Sequence, residues 1–139
     1  MRSRIGPSIA ISPILVAGAA AQEPDWQANA DVSVIEVITS DADGDVRDVP
    51  VWFVEVDGEI YLRTSASAWL ENLRRDPDLV VRLEGVEYPL QAVEMKGDAI
   101  IEAVDAASAE KYGWQESLIH VFRMRTPEIL RLESRTSEE

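Results

Sequence analysis

The side chains able to do chemistry concentrate between Arg47 and Leu83. Arg63-Thr64-Ser65 closes a run with strand character, and Ser67, Trp69 and Asn72 belong to a helical stretch that follows. Arg63 offers a fixed positive charge suited to bidentate contact with a phosphate or carboxylate. Thr64, Ser65 and Ser67 add hydroxyls, and the N–H groups of a first helical turn add a favourable dipole. Trp52, Tyr61 and Trp69 can offer an aromatic wall to a planar ring. Against this anion-and-ring site stands a plainer reading, a satisfied helix cap beside core aromatics. Residue types alone lean to the cap and leave both readings open.

Other chemistries find less support. A Ser-His-Asp triad would need His120, the single histidine, and there is neither a nucleophile elbow nor a cysteine to pair with it. His120 lies in the apolar run Ile119-His120-Val121-Phe122, which reads as a packed or surface strand before it reads as a base or haem ligand. One histidine and no cysteine leave no donor set for a His-rich or thiolate metal site. The acidic run Asp41-Ala42-Asp43-Gly44-Asp45 invites a calcium loop, but its twelfth position is Trp52 rather than a closing glutamate, so a solvated hairpin turn is expected. No glycine-rich phosphate loop is present.

The elements that must position these groups follow from periodicity. Val32 to Thr39 alternates and is β-branched, as a strand requires. Val49 to Val56 is almost continuously apolar, which implies burial on both faces, as in a closed barrel or a dimer seam. Asp57-Gly58 predicts a type I′ hairpin into Glu59 to Thr64, with Ile60 and Leu62 on one side and Tyr61 and Arg63 on the other. Ser67 is the expected N-cap of a helix over Ala68 to Arg75, ended by Asp76-Pro77. Leu79 to Leu83 and Val86 to Met95 form a second pair joined at Glu84-Gly85, and Pro89 points to an edge or a bulge. From Asp98 the period changes to helical, with Ile101, Val104, Ala107 or Ser108, and Tyr112 on one face and Gly113 as the stop. Two apolar runs follow, Leu118 to Met124 and Ile129 to Leu132.

The 139 residues suit one domain. Arg2, Arg4 and the apolar Ile5 to Val16, followed by Ala19-Ala20-Ala21, read as an export signal over 1–21. Next comes a polar lead-in over 22–30, a barrel domain over 31–133, and a disordered acidic tail over 134–139. The chain carries 13 Lys+Arg against 26 Asp+Glu, for a net charge of −13, which becomes −15 once Arg2 and Arg4 are removed. Such a surface repels nucleic acid and anionic lipid, so neither is an expected partner. Hairpin-linked strands with two inserted helices predict a mainly β, α+β fold, a barrel of about six antiparallel strands.

The run PVWFVEVDGEIYLRT, then Trp69, Asn72, Leu73 and Pro77, then VVRLEG, resembles the FMN-binding split barrels, the pyridoxamine-phosphate-oxidase-like superfamily. The resemblance is nearest to DUF2255 and the deazaflavin-dependent nitroreductases. It spans roughly residues 31 to 133 and includes Glu110-Lys111-Tyr112-Gly113. It implies a split barrel that binds FMN or the deazaflavin F420 and performs hydride chemistry on a small molecule. Carried over by position, it marks Arg47, Val51, Trp52, Arg63, Thr64, Ser65, Trp69 and Asn72 as cofactor-binding. It assigns no catalytic residue, although Tyr61 or Lys111 could serve as acid or base. It also implies a homodimer. The alternative is a non-catalytic exported barrel that binds a small ligand or merely dimerises, with cofactor binding lost.

Overall fold

The structure, a computed structural model, describes residues 23–114 and 127–135. The expected export signal, the run Leu118 to Met124 with His120, and residues 136–139 lie outside the described residues. The elements follow in the order β1 (Val34–Ser40), β2 (Val46–Val56), β3 (Glu59–Thr64), α1 (Ala68–Arg75), β4 (Asp78–Leu83), β5 (Val86–Met95), α2 (Asp98–Tyr112) and β6 (Glu128–Ser134). All strand pairs are antiparallel and close into a six-stranded barrel in the order β1-β2-β3-β6-β5-β4.

Turn chemistry sets this register. Asp57 (φ 52°) and Gly58 (φ 83°) both sit in the left-handed region that a type I′ turn demands, which locks Val56 opposite Glu59. Glu84 and Gly85 repeat the device between β4 and β5. The acidic stretch after β1 is a tight hairpin turn, with Asp41 N–H donating to the Asp45 carbonyl at 2.8 Å. Pairing of β1 with β2 therefore begins at Ser40 opposite Val46, three residues earlier than the apolar run suggests.

Strand alternation sends Ile35, Val37, Phe53, Leu62, Val81 and Leu90 into the barrel, all nearly without solvent exposure. Helix α1 plugs one mouth with Trp69, Leu70 and Leu73. Its start is held by Ser67, whose hydroxyl accepts from Leu70 N–H at 3.3 Å, so the expected cap is present. Helix α2 lies outside the barrel and packs Val104 against Val54, Tyr61 and Ile129. That second layer explains the unbroken apolar character of β2: Phe53 faces the interior while Val54 faces α2.

Three expectations need adjustment. β5 is neither an edge strand nor bulged, because it pairs with β4 and β6 in continuous registers. Pro89 is tolerated because the β6 ladder starts only at Leu90, leaving the proline paired on the β4 side alone. The lead-in also contributes to packing: Trp26 lies 5.4 Å from the Phe53 ring and caps the barrel core. At the other end Ser134 belongs to β6, and Arg135 donates to the carbonyls of Leu79 (2.7 Å) and Leu90 (2.9 Å).

Arg74 ties α1 to the barrel through Glu94 of β5 at 2.6 Å and lies 3.6 Å from Glu128 of β6. The Arg74 hydrogen bond is the largest influence holding the Glu94 carboxyl down at about 2, against an ordinary 4.5. The stability it adds is present above pH 4.5 and is lost as pH falls toward 2. Glu94→Gln should flatten the loss of stability over that interval, as read by urea midpoints measured from pH 5 to pH 2.

Candidate functional site

β2 and β3 part company before either ends. Their ladder runs from Val56–Glu59 to Phe53–Leu62 and stops. The same register would set Trp52 against Arg63 and Val51 against Thr64. Instead Trp52 and Val51 stay paired with Val34 and Ile35 of β1, while Arg63 and Thr64 pair with Ile129 and Glu128 of β6. The split opens a cavity of about 350 Å³ lined by Val34, Pro50, Val51, Trp52, Arg63, Thr64 and Trp69. The structure thus gathers Val51, Trp52, Arg63, Thr64 and Trp69 around one space. Ser65 is the next residue of the chain, half-buried, and its carbonyl accepts from the Thr64 hydroxyl at 3.0 Å. Ser67 is spent on the helix cap. The cap reading and the cavity therefore coexist.

Arg63 is buried, at 7% exposure, on the outer side of β3. Its Nη1 donates to the Asp105 carboxylate of α2, and its Nη2 has no partner among the described residues. A buried guanidinium would be strongly disfavoured alone, so Asp105 makes its presence tolerable. The unsatisfied Nη2 keeps hydrogen-bonding capacity in reserve. A second space of about 10 Å³, close to the size of one water, lies between Arg63 and Ser108.

Trp52 forms its aromatic contact differently from the sequence expectation. It stacks on Tyr112 of α2, with centroids 3.8 Å apart and planes at 7°. Tyr61 packs under α2 and does not line the larger cavity. The Tyr112 hydroxyl accepts from Phe53 N–H at 3.1 Å and lies 2.7 Å from the Ser33 carbonyl and 2.9 Å from that of Phe53. It substitutes for strand pairing just ahead of the start of β1. Burial pushes this hydroxyl up to about 12, so it stays protonated at ordinary pH.

Arg47 and Asn72 stand elsewhere. Arg47 makes a two-pronged contact with Asp41 at 2.8 and 3.0 Å. Asn72, buried on α1, donates to Thr39 (2.9 Å) and to Asp41 (2.8 Å) and accepts from Arg75 (3.0 Å). Together they pin the first hairpin to the helix, and neither lines the cavity at the split. Asp105 and Tyr112 were not marked as site residues by motif. The signal for Asp105 is its place beside the apolar stripe of α2, four residues after Ile101.

With this geometry in view, the profile of a family described as an uncharacterised protein conserved in bacteria, DUF2255, matches residues 27–130. The chain belongs to the DUF2255 family. No curated protein matches it. Among solved structures, this DUF2255 chain is similar to HutZ, the heme storage protein from Vibrio cholerae, at TM-score 0.62 and 15% identity, over 84% of this chain and 93% of that one. A conserved hypothetical protein from Mycobacterium tuberculosis gives TM-score 0.58 and 20% identity, over 91% and 82%. An F420-H2 dependent reductase, FDR-A, gives 0.53 and 20%, over 73% and 95%. These likenesses establish the split-barrel fold, which proteins described as reducing with F420 and as storing haem share.

Removing one partner of the buried pair should be costly. Asp105→Ala strands the Arg63 charge and should destabilise by about 2–3 kcal/mol, below the fully buried range because Asp105 is about one-third exposed. Adding Arg63→Met should restore most of the loss in urea unfolding. Tyr112→Phe should cost about 1–2 kcal/mol by the same assay, through the lost hydroxyl contacts to Phe53 and Ser33.

Proposed function

We propose that this protein binds a planar cofactor of the flavin or deazaflavin type, FMN or F420, at the split between β2 and β3, and acts as a small-molecule oxidoreductase. The observation that carries the reading is the convergence of Trp52, Trp69, Arg63 and Thr64 on one 350 Å³ cavity. That volume is at the lower end of small-molecule sites, which suits enclosure of a ring more than of a whole nucleotide. The donor set fits a ring with an oxygen-bearing edge: an aromatic surface on Trp52, a hydroxyl on Thr64, and an arginine with one guanidinium nitrogen unpaired among the described residues. When bound, such a cofactor supplies hydride transfer. The residues of the chain orient the ring, exclude water with Trp69 and Val51, and present the Arg63 charge.

A second reading has its own observation. Arg63 is paired with Asp105 and Arg47 with Asp41, so both candidate anchors already face carboxylates. That pattern favours a ligand-binding module without catalysis. The homodimer remains part of the proposal, supported by Val34 and Val46, exposed at 39% and 72% on the β1–β2 side. Export through residues 1–21 likewise remains a proposal, and the mass of the mature chain checks it.

Titration of the full chain with FMN, F420 and hemin, followed by tryptophan fluorescence and ligand absorbance, separates these readings. The proposal expects quenching by FMN or F420 and at least about a tenfold loss of affinity in the Arg63→Met, Asp105→Asn double variant. Arg47→Ala should stay within about twofold of the parent, because Arg47 serves the hairpin. Binding of hemin alone, or of none of the three, would overturn it.

A further inference from the structure

A second cavity holds another reactive group. The chain contains two lysines, Lys96 and Lys111. Lys96 is exposed and lies near Glu94 (3.4 Å) and Glu128 (3.3 Å). Lys111, near the end of α2, has no ion pair among the described residues, in a chain where acids outnumber bases two to one. Its Nζ donates to the Phe53 carbonyl at 3.0 Å and stands 3.4 Å above the centre of the Phe53 ring. It lines a cavity of about 250 Å³ with Trp26, Phe53, Ile60, Ala107, Glu55 and Glu110 among the walls. The cavity at the β2–β3 split has none of these side chains in its lining.

We propose that Lys111 and this cavity form a second site, which binds an uncharged apolar or aromatic aldehyde or ketone and captures it as an imine. The aromatic and aliphatic walls suit the body of such a ligand, and the carboxylates of Glu55 and Glu110 disfavour anions. The amine lone pair attacks the carbonyl carbon to give a carbinolamine, and loss of water leaves a C=N bond. The step needs no oxidant or reductant. Desolvation supports it by bringing the amine down to about 8 against an ordinary 10.5, opposed by Asp31. The other charged or titratable groups around the amine are Glu55 of β2 and Glu110 and Tyr112 of α2. A lysine lowered in this way by an apolar setting is a nucleophile near neutral pH.

The assay uses the full chain, benzaldehyde as probe and cyanoborohydride to fix any imine, with the labelled residue located by peptide mass. The expected result is benzylation of Lys111 at least about tenfold faster than Lys96 at pH 8, rising with pH through about 8. The Lys111 rate should saturate with benzaldehyde concentration, because the aldehyde is held before it reacts. Ala107→Phe, which fills the cavity, should slow benzaldehyde labelling while leaving formaldehyde labelling of Lys111 near the parent rate. Comparable labelling of the two lysines would overturn the proposal. So would a benzaldehyde rate at Lys111 that stays linear in concentration in the parent chain, a measurement that needs no variant.

Discussion

A positive charge buried between two layers organises this molecule. Arg63 leaves β3 on the outer side of the barrel, where α2 covers it, and among the described residues only Asp105 compensates it. Burial of a guanidinium against a carboxylate brings little net stability and strongly penalises separation of the two. The pair therefore fixes where α2 sits on β3. That placement in turn sets Val104 on Val54 and Tyr61, and Tyr112 on Trp52. Nη2, without a partner among the described residues, is the cost of the arrangement, and at a site open to a ligand such a cost can become recognition.

The same placement explains why the barrel can split without unravelling. Where β2 and β3 diverge, each remains laddered to its outer neighbour, β1 or β6. Ahead of the start of β1, the Tyr112 hydroxyl takes the place of a strand and satisfies the Phe53 backbone that β1 does not reach. Helix α2 thus seals the barrel from outside while α1 seals it from within. The cavity lies between those two seals, with Trp69 contributed by α1 and Trp52 contributed by β2 and backed by Tyr112 of α2. Two hydrogen-bonded clusters hold the frame beside it. The Asp41–Arg47–Asn72 group fastens the first hairpin, and Arg74 fastens α1 to β5.

Much of this was legible in the sequence. The Asp57-Gly58 and Glu84-Gly85 turns, the Ser67 cap, the helix over Ala68–Arg75 and the change of period at Asp98 all carry local chemical signals, and each element forms where those signals place it. The resemblance to split barrels pointed to the same fold and brought Val51, Trp52, Arg63, Thr64 and Trp69 to notice together. What stayed hidden depends on contacts far apart in the chain. Nothing local to Arg63 announces Asp105, which is 42 residues away, and nothing local to Asn72 or Arg47 announces that Asp41 would engage both. Tyr61 and Trp52 look equivalent as aromatics on neighbouring strands and share the outer face, yet Tyr61 lies within the β2–β3 ladder under α2, while Trp52 lies beyond its end and lines the larger cavity. Pro89 reads as an edge because sequence shows the missing N–H but not where the β6 ladder begins.

The central claim is that the β2–β3 split is a binding site for a planar cofactor. Two-dimensional NMR of the full chain, titrated with FMN and with F420, tests it most directly. The account predicts shifts at the amides of Val51, Trp52, Thr64 and Ser65 and at the Trp52 and Trp69 indoles, with Arg47 and Asn72 unmoved. Shifts centred on Arg47 and Asn72, or none at the split with either cofactor, would contradict it.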